Sequence, residues 1–386
     1  MRDVAIYGTG MLHVSEHWDL SIVDLAGRAA LESLNDAALE RVDALLVTNM
    51  LAATHTTGQL NLGARVADWI GLHGVEAYKV EAACGSGGTG FRSAWMMVAS
   101  CAVDLALVVG VEKMTETPGP EITAGLATAA DADYEVPMGP SFVALNALIM
   151  RRYMHEYSWP HEAFAPFSIN AHANGARNPL ARLQEAVTVD EYRKARMVSD
   201  PINLLDASPI GDGAAAILLG PADRIHPGSR RPRVVVTGSA AATDSIAIHD
   251  RRAPLRLTAA EQSAHAAYAM AGVGPKDIDF LELHDAFSIM SALSLEACGF
   301  AEPGQGPRLA ADGAIFAGGR IPVATFGGLK ARGHPVGATG VYQLAEATRQ
   351  LWGEAGGCQV EGARIGMAQN IGGSGATIVT HILRRM

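Results

Sequence analysis

The chain has 386 residues, 49% of them hydrophobic and 18% charged, which is enough apolar material for one large core or two fused ones. Its formal net charge of −10 argues against a general nucleic-acid binder, because phosphate recognition needs a concentrated basic surface. No apolar run reaches the roughly 18 residues of a membrane span, and the first residues lead into a strand pattern instead of a signal peptide, so a cytoplasmic protein is expected.

Val4-Ala5-Ile6-Tyr7-Gly8-Thr9-Gly10 predicts an opening strand that runs into a glycine-containing turn. An Ala-rich helical stretch precedes a second strand at Val42-Asp43-Ala44-Leu45-Leu46-Val47. The run Glu81-Ala82-Ala83-Cys84-Gly85-Ser86-Gly87-Gly88-Thr89-Gly90 then follows a short strand and leads into a helical segment from Phe91 to Val98. Cys84 is thereby placed at or near a helix N-terminus, where unpaired N–H groups and the helix dipole favour a thiolate and the glycines leave room for a substrate carbonyl. By itself this run also describes a buried thiol beside a tight turn. Cys101 and Cys298 lie in apolar surroundings and are expected in the core, while Cys358 sits in a Gly-rich turn. The four cysteines form no CxxC pair and no Cys/His zinc spacing, so neither a metal site nor a disulfide is expected.

The segment 114–201 has no counterpart later in the chain. Its Tyr, His, Arg and Pro residues suit an excursion that roofs a site, and sequence alone equally allows a plain surface insertion. Asp212-Gly213-Ala214-Ala215-Ala216-Ile217 closes the first half, and a boundary is expected between Pro221 and Pro232, dividing the chain into 1–225 and 226–386. The pairs Arg151-Arg152 and Arg251-Arg252 read as solvated faces, too short to be addressing signals.

The pattern then repeats. Val234-Val235-Val236-Thr237-Gly238-Ser239-Ala240 matches the opening strand, and a second Ala-rich helical stretch precedes Ile278-Asp279-Phe280-Leu281-Glu282-Leu283. His284 ends that strand in Leu283-His284-Asp285-Ala286-Phe287, where a donor could stabilise an oxyanion directly or through water. In the Gly-rich loop from Gly327 to Gly340, the one histidine, His334, stands between Gly333 and Pro335. Ser374-Gly375-Ala376-Thr377-Ile378-Val379 closes the second half as 212–217 closes the first. Aligning Gly88-Thr89-Gly90 with Ala338-Thr339-Gly340 sets Cys84 opposite His334. Two halves packed about a pseudo-twofold axis would bring these residues together, and imidazole is the usual base for a cysteine nucleophile.

The Cys84 run, His284-Asp285-Ala286-Phe287, Gly333-His334-Pro335 and Asn370-Ile371-Gly372-Gly373-Ser374-Gly375 resemble the four active-site loops of the thiolase superfamily. The resemblance spans nearly the whole chain and is closest to the sterol-carrier-protein-type and archaeal-type acetoacetyl-CoA thiolases, through Ala127-Thr128-Ala129-Ala130-Asp131, 141–147 and 327–340. It implies an α/β thiolase fold: two related halves in a five-layer αβαβα arrangement, with the insertion at about 114–201. It also implies an acyltransferase that takes an acyl group from coenzyme A onto Cys84, with His334 activating the thiol and helping to hold a thioester oxygen. His284 would complete one oxyanion hole, and the amides of Cys84 and of the Gly372-Gly373 turn the other, with Gly373 and Asn370 supporting the site. Coenzyme A thioester is then the substrate, with no further cofactor. Homodimers or homotetramers, and a small acyl-CoA-binding partner protein in some kin, are the implied partners.

Two departures stand out. Familiar thiolases carry a second cysteine as acid/base at the position of Asn370 or of Ala286, and this chain has neither. Ala324 and Phe326 also occupy positions where many relatives are polar. The missing acid/base leaves a second reading open, a non-catalytic or partner-dependent acyl-CoA-binding homologue. A nucleotide-binding dehydrogenase has only Gly8-Thr9-Gly10 in its favour, and His13 stands where the third glycine of that fingerprint belongs.

Overall fold

The computed structural model describes residues 2–224 and 231–386, so the boundary expected at 225/226 lies outside the described residues. Nine strands build the main sheet: β1 (Val4–Met11), β2 (Ala44–Thr48), β3 (Glu76–Val80), β4 (Ala106–Glu112), β5 (Gly213–Pro221), β6 (Val234–Thr243), β7 (Phe280–Glu282), β8 (Ile365–Gly372) and β9 (Thr377–Arg385). The longer helices are α1 (Ile22–Asp36), α2 (Leu62–Trp69), α3 (Ser86–Ala99), α4 (Gly119–Ala127), α5 (Phe142–Tyr157), α6 (Ala165–Gly175), α7 (Thr258–Ala271), α8 (Ser288–Ala297) and α9 (Thr339–Trp352).

The strand order β3-β2-β4-β5-β1-β6-β9-β8-β7 displays the internal repeat. Reading outwards from the middle, β1, β5, β4 and β2 are answered by β6, β9, β8 and β7, and both β2–β4 and β7–β8 are parallel. Where β3 would be answered, Val323 makes a parallel bridge to Leu281. The halves join through two antiparallel pairs, Ala5 with Val235 and Ile6 with Val234.

Alternate residues of the strands enter different cores, which is why these strands read as apolar runs. Leu45 and Val47 of β2 pack with α1 and α2, while Ala44 and Leu46 pack with α3 and α9. In the second half, Leu281 and Met367 join the core of α7 and α8, while Phe280 and Ala368 face α3 and α9. The middle helices α3 and α9 each touch strands of both halves. The result is five layers: α1/α2, the first-half strands, α3/α9, the second-half strands and α7/α8. Each fully buried Val, Leu or Ile contributes on the order of 1.5–3 kcal/mol. Ser21 starts α1 with a reciprocal cap, accepting from Asp24 N at 3.1 Å while Asp24 Oδ2 accepts from Ser21 N at 2.9 Å.

Three sequence expectations change. Gly8 and Gly10 lie inside β1 and not in a turn: a Cβ on Gly10 would come 2.2 Å from Ala29 O, and one on Gly8 2.3 Å from Ser33 O. Glycine there lets α1 lie close on the strand, as Gly238 does for α7, and supplies no phosphate-binding turn. Cys101 is exposed instead of buried, because α3 ends one residue earlier at the Ser100 cap and the chain turns away with φ +64°. Arg251 is buried, its guanidinium donating to Ser374 O at 2.7 Å and Ser245 O at 3.2 Å.

Candidate active site

Cys84 sits between β3 and α3 in a turn whose backbone is tightly prescribed. Ala83 has φ +50°, a left-handed conformation that costs a non-glycine residue on the order of 1–3 kcal/mol and persists where its surroundings hold it. Ser86 holds it here: its hydroxyl donates to Ala83 O at 2.6 Å and accepts from Ala82 N at 2.9 Å. His334 occupies the equivalent place in the second half, just ahead of a helical turn at Val336–Ala338 that runs into α9.

The first turns of α3 and α9 meet at glycines. A Cβ on Gly340 would come 2.3 Å from Gly88 N and 2.4 Å from Asn370 Oδ1, so only hydrogen at these positions allows the approach. This contact, together with the end of β7, brings one sulfur and two imidazoles into a single place: ligand-type atoms of Cys84, His284 and His334 all lie within 4.8 Å of one another. The two histidine rings pack edge to face with centroids 5.1 Å apart.

Each ring is oriented from behind. His334 Nδ1 pairs with Thr339 Oγ1 at 2.7 Å, which leaves Nε2 as its other nitrogen. His284 Nδ1 pairs with the Asn370 amide at 3.2 Å, and the same amide reaches Cys84 O at 3.1 Å. Burial first, and the nearby Arg332 charge, hold both rings neutral, with His284 adding to the effect on His334; His284 falls to about 3 and His334 well below its usual range.

Burial also pushes the Cys84 thiol up to about 12, and the Glu112 carboxylate adds to the effect. The helix start therefore does not make Cys84 a resting thiolate: loss of water outweighs the backbone N–H contribution. The resting pair is a neutral thiol beside a neutral imidazole, so the thiolate forms by proton transfer to the ring as substrate arrives.

The thiol and both imidazoles line a cavity of about 330 Å³ whose other walls are mostly apolar. Ile122 and Leu126 of α4 and Phe142 and Val143 of α5 form part of it, so the 114–201 segment covers the site. Ala286 and Gly373 also reach the wall. Asn370 is buried behind it, and its neighbour Ile371 lines the cavity.

Three supporting groups went unassigned in the sequence. Glu112 accepts from Met50 N (2.9 Å), Leu51 N (3.1 Å), Gly337 N (3.0 Å) and Asn49 Nδ2 (2.7 Å), tying the 49–51 loop to the turn after His334. Asp285 Oδ1 accepts from Leu329 N at 2.7 Å, joining the His284 and His334 loops. A buried ion pair, Arg332 with Glu346 at 3.0 Å, anchors the latter loop to α9. A carboxylate closing an apolar strand, as in Val108-Val109-Gly110-Val111-Glu112, was the available signal, since burial of such a group demands several donors.

Comparison with known proteins identifies the family. The thiolase N-terminal domain model matches residues 4–223, and the thiolase C-terminal domain-like model matches 240–385. An acetyl-CoA acetyltransferase of Methanothermobacter thermautotrophicus is 45% identical over the full length of both chains. Sterol carrier protein 2 of Bos taurus is 30% identical over 92% of this chain and 67% of its own. Among solved structures, the Ltp2-ChsH2(DUF35) aldolase superposes with a TM-score of 0.86 at 24% identity, covering 99% of this chain and 98% of the other.

Proposed function

The chain belongs to the thiolase family, and from that membership we propose that it is a thiolase-type acyltransferase that carries its acyl group on Cys84. The observation that carries the reading is the cavity in which one thiol and two neutral, oriented imidazoles converge. Acyl-CoA enters with its thioester carbon at Cys84 Sγ. His334 Nε2 takes the thiol proton as the C–S bond forms, and the proton passes to the departing coenzyme A sulfur.

The negative charge that develops on the thioester oxygen needs preorganised donors. One missing donor of this kind typically costs about 10²- to 10³-fold in rate. His284 Nε2–H serves one oxygen position, and the amides of Cys84 and the Gly372-Gly373 turn serve the other. A Cβ on Gly85 would lie 2.9 Å from Gly372 N, so that amide is beside the Cys84 turn, while Gly373 lines the cavity.

Acyl exchange needs no more than this. The carbon–carbon step also needs a group to move a proton alpha to a thioester, and the second cysteine of familiar thiolases is replaced by Ala286 and Asn370. The relatives' names support acetyl-CoA as one acyl donor. A homo-oligomer, a cytoplasmic location and a partner of the DUF35 class, as in the Ltp2-ChsH2(DUF35) aldolase, belong to the same proposal. Exchange of labelled coenzyme A into acetyl-CoA tests it: exchange that requires both Cys84 and His334 supports transfer, and binding of acyl-CoA with no exchange favours the non-catalytic reading.

A further inference from the structure

Asn370 has an amide whose two ends are assigned by their partners. Its Oδ1 accepts from Gly88 N at 2.9 Å, so Nδ2 is the donor end, reaching Cys84 O at 3.1 Å and His284 Nδ1 at 3.2 Å. A ring nitrogen that accepts a hydrogen bond carries no proton, so the neutral His284 ring bears its proton on Nε2. We propose that Asn370 is a positioning residue that locks His284 as the Nε2–H tautomer and thereby keeps it a hydrogen-bond donor to the substrate oxygen.

The inference rests on the acyl-transfer reading for its consequence but not for its geometry. An amide offers an acceptor to Gly88 and a donor to His284 on two separate atoms of one side chain. A carboxylate lacks the donor, and a thiol has one weak donor and a poor acceptor. Burial of the amide leaves no solvent to restore a lost partner. The lock also bears on metal binding. Cys84, His284 and His334 have a metal-ligating composition, yet His284 Nδ1 is engaged by Asn370 and Nε2 holds the proton, so neither nitrogen offers a free lone pair.

Nuclear magnetic resonance of the full chain labelled with ¹⁵N-histidine reads the tautomer directly, with the His284 signal identified by its loss in His284→Ala. Wild-type protein is expected to show neutral His284 protonated on Nε2 across pH 6–9. In Asn370→Asp the carboxylate draws the proton to Nδ1, so neutral His284 presents a bare lone pair to the substrate oxygen. Acyl exchange by that variant should fall about 10²-fold at high pH. It should recover as pH falls and the ring becomes doubly protonated, with KM little changed. A packing role alone would lower activity by one factor at all pH values and leave the tautomer alone. Wild-type His284 protonated on Nδ1, or an unchanged Nε2–H tautomer in Asn370→Asp, overturns the proposal. Wild-type protein with the expected tautomer but no acyl exchange upholds the lock and defeats the acyl-transfer reading instead.

Discussion

A Cβ built on Gly87 would come 2.7 Å from the Cα of Gly340, so α3 and α9 cross backbone to backbone at their first turns. The two helices come from the two halves of the repeat, and Cys84 and His334 stand just ahead of them. The distance between thiol and imidazole is therefore set by a glycine contact several residues away from either.

Gly340→Ala should disturb that distance before anything else. Its new methyl group meets the Gly88 and Asn370 atoms, backbone and a hydrogen-bonded amide that have nowhere to move. The expected cost is about 1–3 kcal/mol of stability, with a loss of acyl exchange larger than that of Gly318→Ala, where a methyl group meets nothing within 4 Å. Denaturant melts of the two variants check this. Equal stability of both would show that the crossing tolerates a wider gap.

The Cys84 thiol, pushed up to about 12 by burial, should react with iodoacetamide at a rate that still climbs from pH 7 to pH 10 without a plateau. The sign follows from the thiolate fraction, which grows with pH until the thiol's own pKa is passed. His334→Ala should slow the reaction near neutrality, where the base assists, without moving that pKa downwards. Cys101, being exposed, should be alkylated first, so peptide mapping is best done in a Cys101→Ser background. A plateau for Cys84 below pH 8 would mean a standing thiolate–imidazolium pair.

Glu112→Gln should act on the same thiol in the opposite direction. Burial pushes Glu112 itself up to about 7, so above that pH its charge is the second cause of the Cys84 elevation, and removing it lowers the thiol pKa there. The amide nitrogen of glutamine would face backbone N–H donors that now meet an acceptor, at a cost of about 1–3 kcal/mol for each donor left unsatisfied. Faster alkylation of Cys84 together with a lower melting temperature is the expected pair of results.

The two positions that lack the second cysteine are not equivalent. Ala286 reaches the cavity wall, so Ala286→Cys puts a thiol into the substrate space and should raise acetoacetyl-CoA thiolysis more than exchange, by up to about 10²- to 10⁴-fold for a well-placed acid/base. Asn370→Cys instead removes the amide that orients His284 and the Cys84 turn, and should lower both reactions. Rates for the two variants with both assays decide it. A wild-type protein that thiolyses as fast as it exchanges would show that some other group already moves the proton.

The internal repeat carried most of what was legible in the sequence. Matching landmarks in the two halves were enough to set Cys84 opposite His334, because equivalent loops in a pseudo-twofold pair converge on the axis. The glycines in β1 misled, since Gly8-Thr9-Gly10 looks the same whether it relieves a turn or admits a helix. The thiol's electrostatics misled for a related reason: a helix N-terminus is visible in sequence, while the loss of water around it depends on α4 and α5 folding over the cavity. Asn370 was legible as a missing cysteine, but its partners Gly88, Cys84 and His284 lie 282, 286 and 86 residues away and become neighbours only in the fold.

Covalent capture tests the central claim most directly. Incubation of the protein with acetyl-CoA and a panel of longer acyl-CoAs, followed by acid quench, intact mass and peptide mapping, should show one added acyl group on the peptide that contains Cys84. The adduct should be absent in Cys84→Ala, form more slowly in His334→Ala, and leave Cys101, Cys298 and Cys358 unmodified. An acyl group mapped to any of those three thiols, or no adduct with any acyl-CoA from a protein that binds them, would contradict the account.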